Sequence, residues 1–461
     1  MKRPASALLI LAALLVAALL RLASLGHASL WLDELYNLTV LPGATLARLG
    51  MPVDQHPPLY YLLLHAWLAV GQGELWMRLP SALAGVLAVA LLGLAGALLG
   101  GRPVGLLAAA LLAVSPLAVW YSREARMYGP AGLAWAASLA GAIAILRFGR
   151  WRDLLLFTLG TLAGLLLTYS TFGLWLLQAA AAIFLWPRLR PPVRARWLLA
   201  QALVALGFAA WWPAFARQLQ NPLIFHWSLP SGPLGQDLNV SLTLSQLVQI
   251  GAGAALLALV AAVAASRLLA ARPVLAGRLR GLARPAAWLV ILALAIGLVL
   301  GAVPLGLSVR RQLLVFWPVV VLLAAYALAR LRRRVLTAGL LALGLALSAA
   351  IVLGPPYEDW RGVTAFVAQH AQQGDRVLLD ASWAAQAFDY YYHGSAPYAG
   401  VNPSDLASTP RLAPGQQAWL VLVNTAQADP DGLVAAWVEG QAQRVSMVAF
   451  GRIVISEYLA P

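Results

Sequence analysis

Asp33 and Glu34 stand side by side in the stretch SLWLDELYN, just beyond the first long apolar run. Adjacent carboxylates project to different sides of a helix or strand, so they need not share one task. One could take a proton while the other holds an arginine or a metal ion; the same pair could equally open a helix in a solvated loop, with Asp33 as its N-cap. Further on, VDQHPPLYYLLLHAW places Asp54 and His56 ahead of two prolines that stiffen the backbone. That spacing could coordinate a divalent cation or position a hydroxyl, although two ligands do not complete a metal site. Tyr60 and Tyr61 follow, with His65 suited to packing and Trp67 to an interfacial aromatic belt. WYSREARMYGP brings Arg123, Glu124, Arg126 and Tyr128 together, and SVRRQLLVFWPVV adds Arg310 and Arg311. The planar fork of arginine is suited to gripping phosphate oxygens. A structural pair between Arg123 and an earlier aspartate is the plainer alternative.

The elements that must position these residues are membrane helices. Of 461 residues, 61% are hydrophobic and 11% charged, which excludes a soluble enzyme or a disordered chain. The net charge of +15 comes from arginines in short clusters between apolar runs, a membrane-topology pattern and not a nucleic-acid-binding one. Cysteine is absent, so there is no thiol nucleophile, disulfide or thiolate metal site. Continuous apolar runs predict about eleven transmembrane helices, near 5–25, 79–100, 103–121, 127–146, 152–170, 172–187, 197–215, 246–266, 286–306, 312–330 and 335–354. With the N-terminus cytoplasmic, the arginine-rich loops fall inside at every turn. The acids then separate from them: of the acids before residue 356, only Asp153 lies inside, while Asp33, Glu34, Asp54, Glu74, Glu124 and Asp237 lie outside. Charged groups beside a membrane are expensive and often functional, so the outer face is where chemistry is expected.

Residues 1–356 are therefore expected to form a transmembrane catalytic domain with a long first outer loop over 26–78. After Pro355-Pro356 the composition becomes acidic, and residues 357–461 are expected to form a small extracytoplasmic α/β domain. Trp360, Val363, Phe366, Val367 and His370 recur at helical spacing, and 376–380, 417–424 and 452–458 read as strands with a helix near 433–441.

The order of these motifs resembles glycosyltransferase family 39, which includes the protein O-mannosyltransferases and the aminoarabinose transferase acting on lipid A. The likeness rests on DE in a long first loop, DQHPPLYY at its end, SREARMYG, RRQLLVFWP, and EDWRG at the head of an outer domain. It implies a polytopic α-helical membrane protein of the GT-C type. It also implies that one sugar is transferred, with inversion, from a polyprenyl-phosphate donor to a protein hydroxyl, a lipid or a glycan. By that likeness Asp33 is the catalytic carboxylate with Glu34 beside it. Asp54 matches the aspartate before His-Pro-Pro in the mannosyltransferases, and Arg123 or Arg126 the loop-two arginine.

The chemistry is consistent with the residue types. Displacing a lipid phosphate from an anomeric carbon builds negative charge on the leaving group, which fixed arginines would stabilise. A phosphate leaves without protonation, so one base suffices, and Asp33 could take the acceptor's proton from the opposite face, as the base does in inverting glycosidases. Arg123, Arg126, Arg310 and Arg311 are the expected phosphate-binding group, with Asp54, His56, Tyr60 and Tyr128 as further substrate-binding candidates. A divalent cation is the one cofactor these residues could hold, at Glu34, Asp54 or His56. The expected partners are the lipid-linked donor, the bilayer of the plasma membrane and the acceptor. The rival reading is a flippase for lipid-linked sugars, which would carry its functional charges near the membrane middle.

Overall fold

Leucine and alanine dominate the first helix, α1 (Arg3–Leu22). Leu8, Leu15 and Leu19 are more than half exposed along it while Ala13, Ala17 and Leu20 are buried, so one side suits lipid and the other packs. The computed structural model describes residues 3–40, 49, 56–219, 311, 314–331, 334–380 and 382–461. Among the described residues, four helices are long and apolar enough to cross a membrane: Glu74–Gly100, Tyr128–Phe148, Leu314–Leu331 and Arg334–Leu353. Two bent pairs raise this to at most six, Arg102–Ala113 with Pro116–Ser122 at 58° and Pro191–Ala209 with Trp212–Gln218 at 64°. Among the described residues the expected count of about eleven is therefore not confirmed. The helices at Trp151–Leu167 and Thr171–Leu185 are shorter than a full crossing, and the expected spans at 246–266 and 286–306 lie outside the described residues.

The described chain forms two compact units. One comprises Met1–Ala23, Gly43–Val70 and Met77–Val352; the other comprises Ser24–Pro42, Gly71–Trp76 and Leu353–Pro461. The sequence assigns the whole first outer loop to the membrane part, yet two pieces of it pack with the C-terminal residues.

Within the first unit, two arginines exchange places across helix ends. Pro116 has no N–H to offer Leu112, so the last carbonyls of the Arg102–Ala113 helix need another donor. Arg21, fully buried on α1, supplies it: Nη2 donates to the Leu112 carbonyl at 3.1 Å and Nη1 to that of Ala113 at 3.0 Å. In return Arg123 Nη1 donates to the carbonyls of Leu20 at 3.1 Å, Arg21 at 3.3 Å and Ala23 at 2.7 Å, closing the end of α1. The bend has its own cap, the Ser115 hydroxyl, which accepts from Ala118 N at 3.4 Å and from Trp317 Nε1 at 2.8 Å. Gly85 leaves room for this arrangement, because a Cβ there would lie 2.5 Å from Ser122 Cβ and 2.9 Å from Arg21 Nε. Arg21→Met would take the donor from the Ala113 carbonyl and leave that of Leu112 with only the 3.4 Å bond from Ser115 N, and should lower stability by about 1–3 kcal/mol. The check is the melting temperature in detergent; an unchanged value would refute the cap.

The second unit is built on a five-stranded sheet of order β2-β1-β3-β5-β4, with β1 Arg376–Asp380, β2 Tyr398–Val401, β3 Gln417–Leu422, β4 Gln443–Phe450 and β5 Ile453–Leu459. β2, β1 and β3 run parallel, and β5 and β4 join antiparallel. β1 and β3 are nearly continuous runs of buried apolar residues, as strands covered on both faces must be. The Leu433–Glu439 helix packs Val434 and Val438 against Leu378, Leu420 and Tyr458. The Trp360–His370 helix begins at Asp359, whose side chain accepts from Gly362 N, and it buries Trp360, Val363 and Val367. The two helices and three strands expected after residue 357 are present; β2, β4 and the Ala385–Tyr391 helix are additions.

Candidate functional site

In the first unit, the site candidates gather where the short apolar helices begin and end. The paired prolines place His56 just ahead of the Leu59–Leu68 helix, whose Tyr60, Tyr61 and Leu64 are buried while His65 is exposed. Arg126 is 3% exposed, and its Nη2 lies 3.4 Å from His56 Nε2. Guanidinium has only donors, so Nε2 must accept; Nδ1 then carries the imidazole proton and donates to the Tyr61 hydroxyl at 3.3 Å.

The backbone around Arg126 is fixed from the neighbouring Glu74–Gly100 helix. Ser81 Oγ donates to the Arg126 carbonyl at 2.8 Å. Nearby in the chain, Gly129 permits a contact no side chain could, since a Cβ there would lie 2.5 Å from the Ser81 carbonyl oxygen. Tyr128 opens the 21-residue Tyr128–Phe148 helix, so Arg126 immediately precedes a helix N-terminus, whose dipole favours negative charge. Arg311 sits over the Tyr128 ring at 5.8 Å, and Tyr121 meets the same ring edge-on at 5.0 Å. Glu124, 9% exposed, accepts from Trp120 Nε1 at 2.7 Å. Of the loop-two arginines, Arg123 serves the α1 carbonyls while Arg126 stands with His56 beside the tyrosines.

The carboxylates belong to the second unit. α2 (Leu32–Val40) carries Asp33 and Glu34 in its first turn. Trp31, not Asp33, is the N-cap residue, because its carbonyl accepts from Glu34 N at 2.9 Å and Leu35 N at 3.0 Å. Glu34, at the third helical position and fully buried, reaches back so that Oε2 accepts from Trp31 N at 3.3 Å. That is one half of a capping box, and it gives Glu34 a local structural task distinct from that of its neighbour. Glu358 is also buried here, at 5% exposure, and its carboxyl is pushed up chiefly by desolvation. The hydrogen bonds from Trp360 and Leu32 and the charge of Arg452 pull it down, and the charge of Asp33 adds to the rise.

Asp54 and Arg310 lie outside the described residues. Among the described residues no group of three His, Asp or Glu side chains is placed to hold a metal ion. With the Arg126 guanidinium against its Nε2, His56 also does not suit a divalent cation. Among the described residues, then, no metal centre is assembled. The residues that sequence reasoning missed are Arg21 and Glu358, both of which act on backbone groups far away in the chain.

Residues 55–213 match the family model of dolichyl-phosphate-mannose-protein mannosyltransferases, a span that includes His56, Tyr60, Arg123, Arg126 and Tyr128. The likeness to glycosyltransferase family 39 thus lies in this stretch. The GT-C fold of this chain is shared by the archaeal oligosaccharyltransferase AglB from Archaeoglobus fulgidus in complex with an inhibitory peptide and a dolichol-phosphate. The two are 12% identical with a TM-score of 0.51, over 98% of this chain and 74% of that one. ArnT from Cupriavidus metallidurans in the apo state is 14% identical with a TM-score of 0.49, over 98% of this chain and 97% of that one. The S. cerevisiae protein O-mannosyltransferase complex bound to its sugar donor is 19% identical with a TM-score of 0.37, over 48% of this chain and 34% of that one. No curated protein matches the chain. The chain thus has a helical membrane part with a small C-terminal sheet, as the motif order implied.

Proposed function

We propose that the protein is an inverting glycosyltransferase that moves a sugar from a polyprenyl-phosphate donor to an acceptor on the outer face of the membrane. The observation that carries this reading is the buried Arg126, held by Ser81 and His56 at the head of a long helix within the family 39 span. A fixed, nearly inaccessible guanidinium ahead of a helix N-terminus suits the charge that grows on a departing phosphate. The family description names a dolichyl-phosphate-mannose donor, and the archaeal relative of the same fold is described with a dolichol-phosphate. Both support a polyprenyl-phosphate donor for this chain.

In the reaction, Asp33 takes the proton from the acceptor hydroxyl as its oxygen attacks the anomeric carbon. The bond from that carbon to the phosphate oxygen breaks with inversion, and the polyprenyl phosphate departs with the electron pair. Arg126 and Arg311 stabilise its charge, with the hydroxyls of Tyr60 and Tyr128 orienting donor oxygens. Glu34 holds the turn that carries Asp33.

The test uses purified protein with mannosyl- or aminoarabinosyl-undecaprenyl phosphate, membrane lipid and a Ser/Thr-rich peptide as acceptors. Release of free undecaprenyl phosphate is followed by chromatography. A transferase liberates it with the sugar now on an acceptor. A carrier of intact lipid-linked sugar would leave the donor whole, and that result would overturn the proposal.

A further inference from the structure

The segment that bears Asp33 is held in place by side chains that follow it by more than three hundred positions. Leu32 N, at the first position of α2, has no partner within the helix, as is true of every helix start. Glu358 Oε2 accepts it at 3.2 Å, and the same oxygen accepts from Trp360 Nε1 at 2.8 Å, with Trp360 fully buried. Ser29 ties the two chains again: its hydroxyl donates to the Glu358 carbonyl at 2.8 Å and accepts from Trp360 N at 3.1 Å. Next along, Leu30 N donates to the Tyr391 hydroxyl at 2.7 Å, which itself donates to Glu74 Oε1 at 2.8 Å. Gln386 Nε2 donates to the Leu35 carbonyl at 2.7 Å, and Arg361 donates to the His27 carbonyl at 3.1 Å while pairing with Glu74. From His27 to Leu35 the backbone is thus gripped repeatedly by side chains near the start of the C-terminal segment or on the Ala385–Tyr391 helix.

A structural clasp for an inert loop would not need a buried carboxylate. Desolvating Glu358 is costly, and a neighbouring carboxylate at Asp33 makes it more so. A carboxylate is nonetheless the group that can accept from a helix N-terminus and an indole on one oxygen, while its charge complements the helix dipole. We propose that Glu358 is a positioning residue of the transfer reaction, fixing through Leu32 N and Trp360 the first turn of α2 on which Asp33 stands. It touches no substrate. The inference rests on the assignment of Asp33 as the base under Proposed function.

The experiment compares Glu358→Leu, Glu358→Gln and Tyr391→Phe in the full-length protein, with donor and acceptor kinetics measured for each. Glu358→Leu leaves Leu32 N and Trp360 Nε1 without their acceptor and should lower kcat roughly tenfold or more with donor KM within about twofold, as a displaced catalytic group does. In Glu358→Gln the side-chain amide oxygen can accept both N–H groups, so this variant should recover at least half of the activity lost, a roughly fivefold gain over the leucine variant. Wild-type kcat in Glu358→Leu, or a glutamine variant as impaired as the leucine one, would overturn the proposal. If Glu358→Leu does not fold, Tyr391→Phe decides: a kcat about threefold or more below wild type at unchanged KM supports the clasp, and wild-type kcat refutes it. Asp33→Asn separates the two claims. Full activity there removes the base and this inference with it, whereas an inactive Asp33→Asn beside a fully active Glu358→Leu removes the inference alone.

Discussion

Asp33→Asn should reduce sugar transfer by about 10²- to 10⁴-fold while leaving donor binding close to wild type. Asparagine keeps the shape of the side chain and its place in the first turn of α2, so the helix start, set by Trp31, Glu34 and Glu358, is undisturbed. What is lost is the ability to take a proton. The check is single-turnover transfer in detergent with saturating donor, alongside donor affinity by competition. Transfer at the wild-type rate would show that Asp33 is not the base. A loss of affinity equal to the loss of rate would instead make it a binding residue.

Arg126→Gln should lower kcat by about 10²- to 10³-fold, comparable to removing one preorganised donor from a developing oxyanion. Glutamine retains one amide donor toward His56 but carries no charge and cannot fork onto two phosphate oxygens. The Ser81 bond is to the Arg126 carbonyl and so survives the substitution, which keeps the turn in place. Arg126→Lys should recover little, since a point charge replaces a planar fork. Arg123→Gln should behave differently. Its Nη1 closes the last carbonyls of α1, so its loss should appear in the melting temperature more than in kcat. If Arg126→Gln turns over normally and Arg123→Gln does not, the assignment of the two arginines is reversed.

The membrane class and the C-terminal α/β elements are legible from composition and apolar pattern alone. β1 and β3 announce themselves as short buried runs, and the Trp360–His370 helix by its spacing. β4 does not, because most of its residues are exposed and it lies at the sheet edge, where no alternation between core and solvent is imposed. β2 has only four residues, too few to carry a pattern. The site divides in the same manner. Asp33, His56 and Arg126 stand out because charged and polar residues are rare in so apolar a chain. Their supports are not legible: Arg21 bonds carbonyls 91 and 92 residues away and Glu358 a backbone N–H 326 residues away. A hydrogen bond to a backbone group asks nothing of the residue type at the other end, so no local motif records it. Asp33 itself reads equally well as an N-cap and as a residue of the first turn, a difference that only the carbonyl of Trp31 resolves.

The clasp on α2 also sets an order of events during biosynthesis. Leu30 and Leu32 leave the ribosome early, but Tyr391 and Glu358 emerge 361 and 326 positions later. Until then the first turn lacks these late partners, and the nascent chain can thread its hydrophobic segments into the bilayer without a finished base. A ribosome that stalls before Leu353 would leave a fragment whose α2 never meets the side chains that hold its first turn.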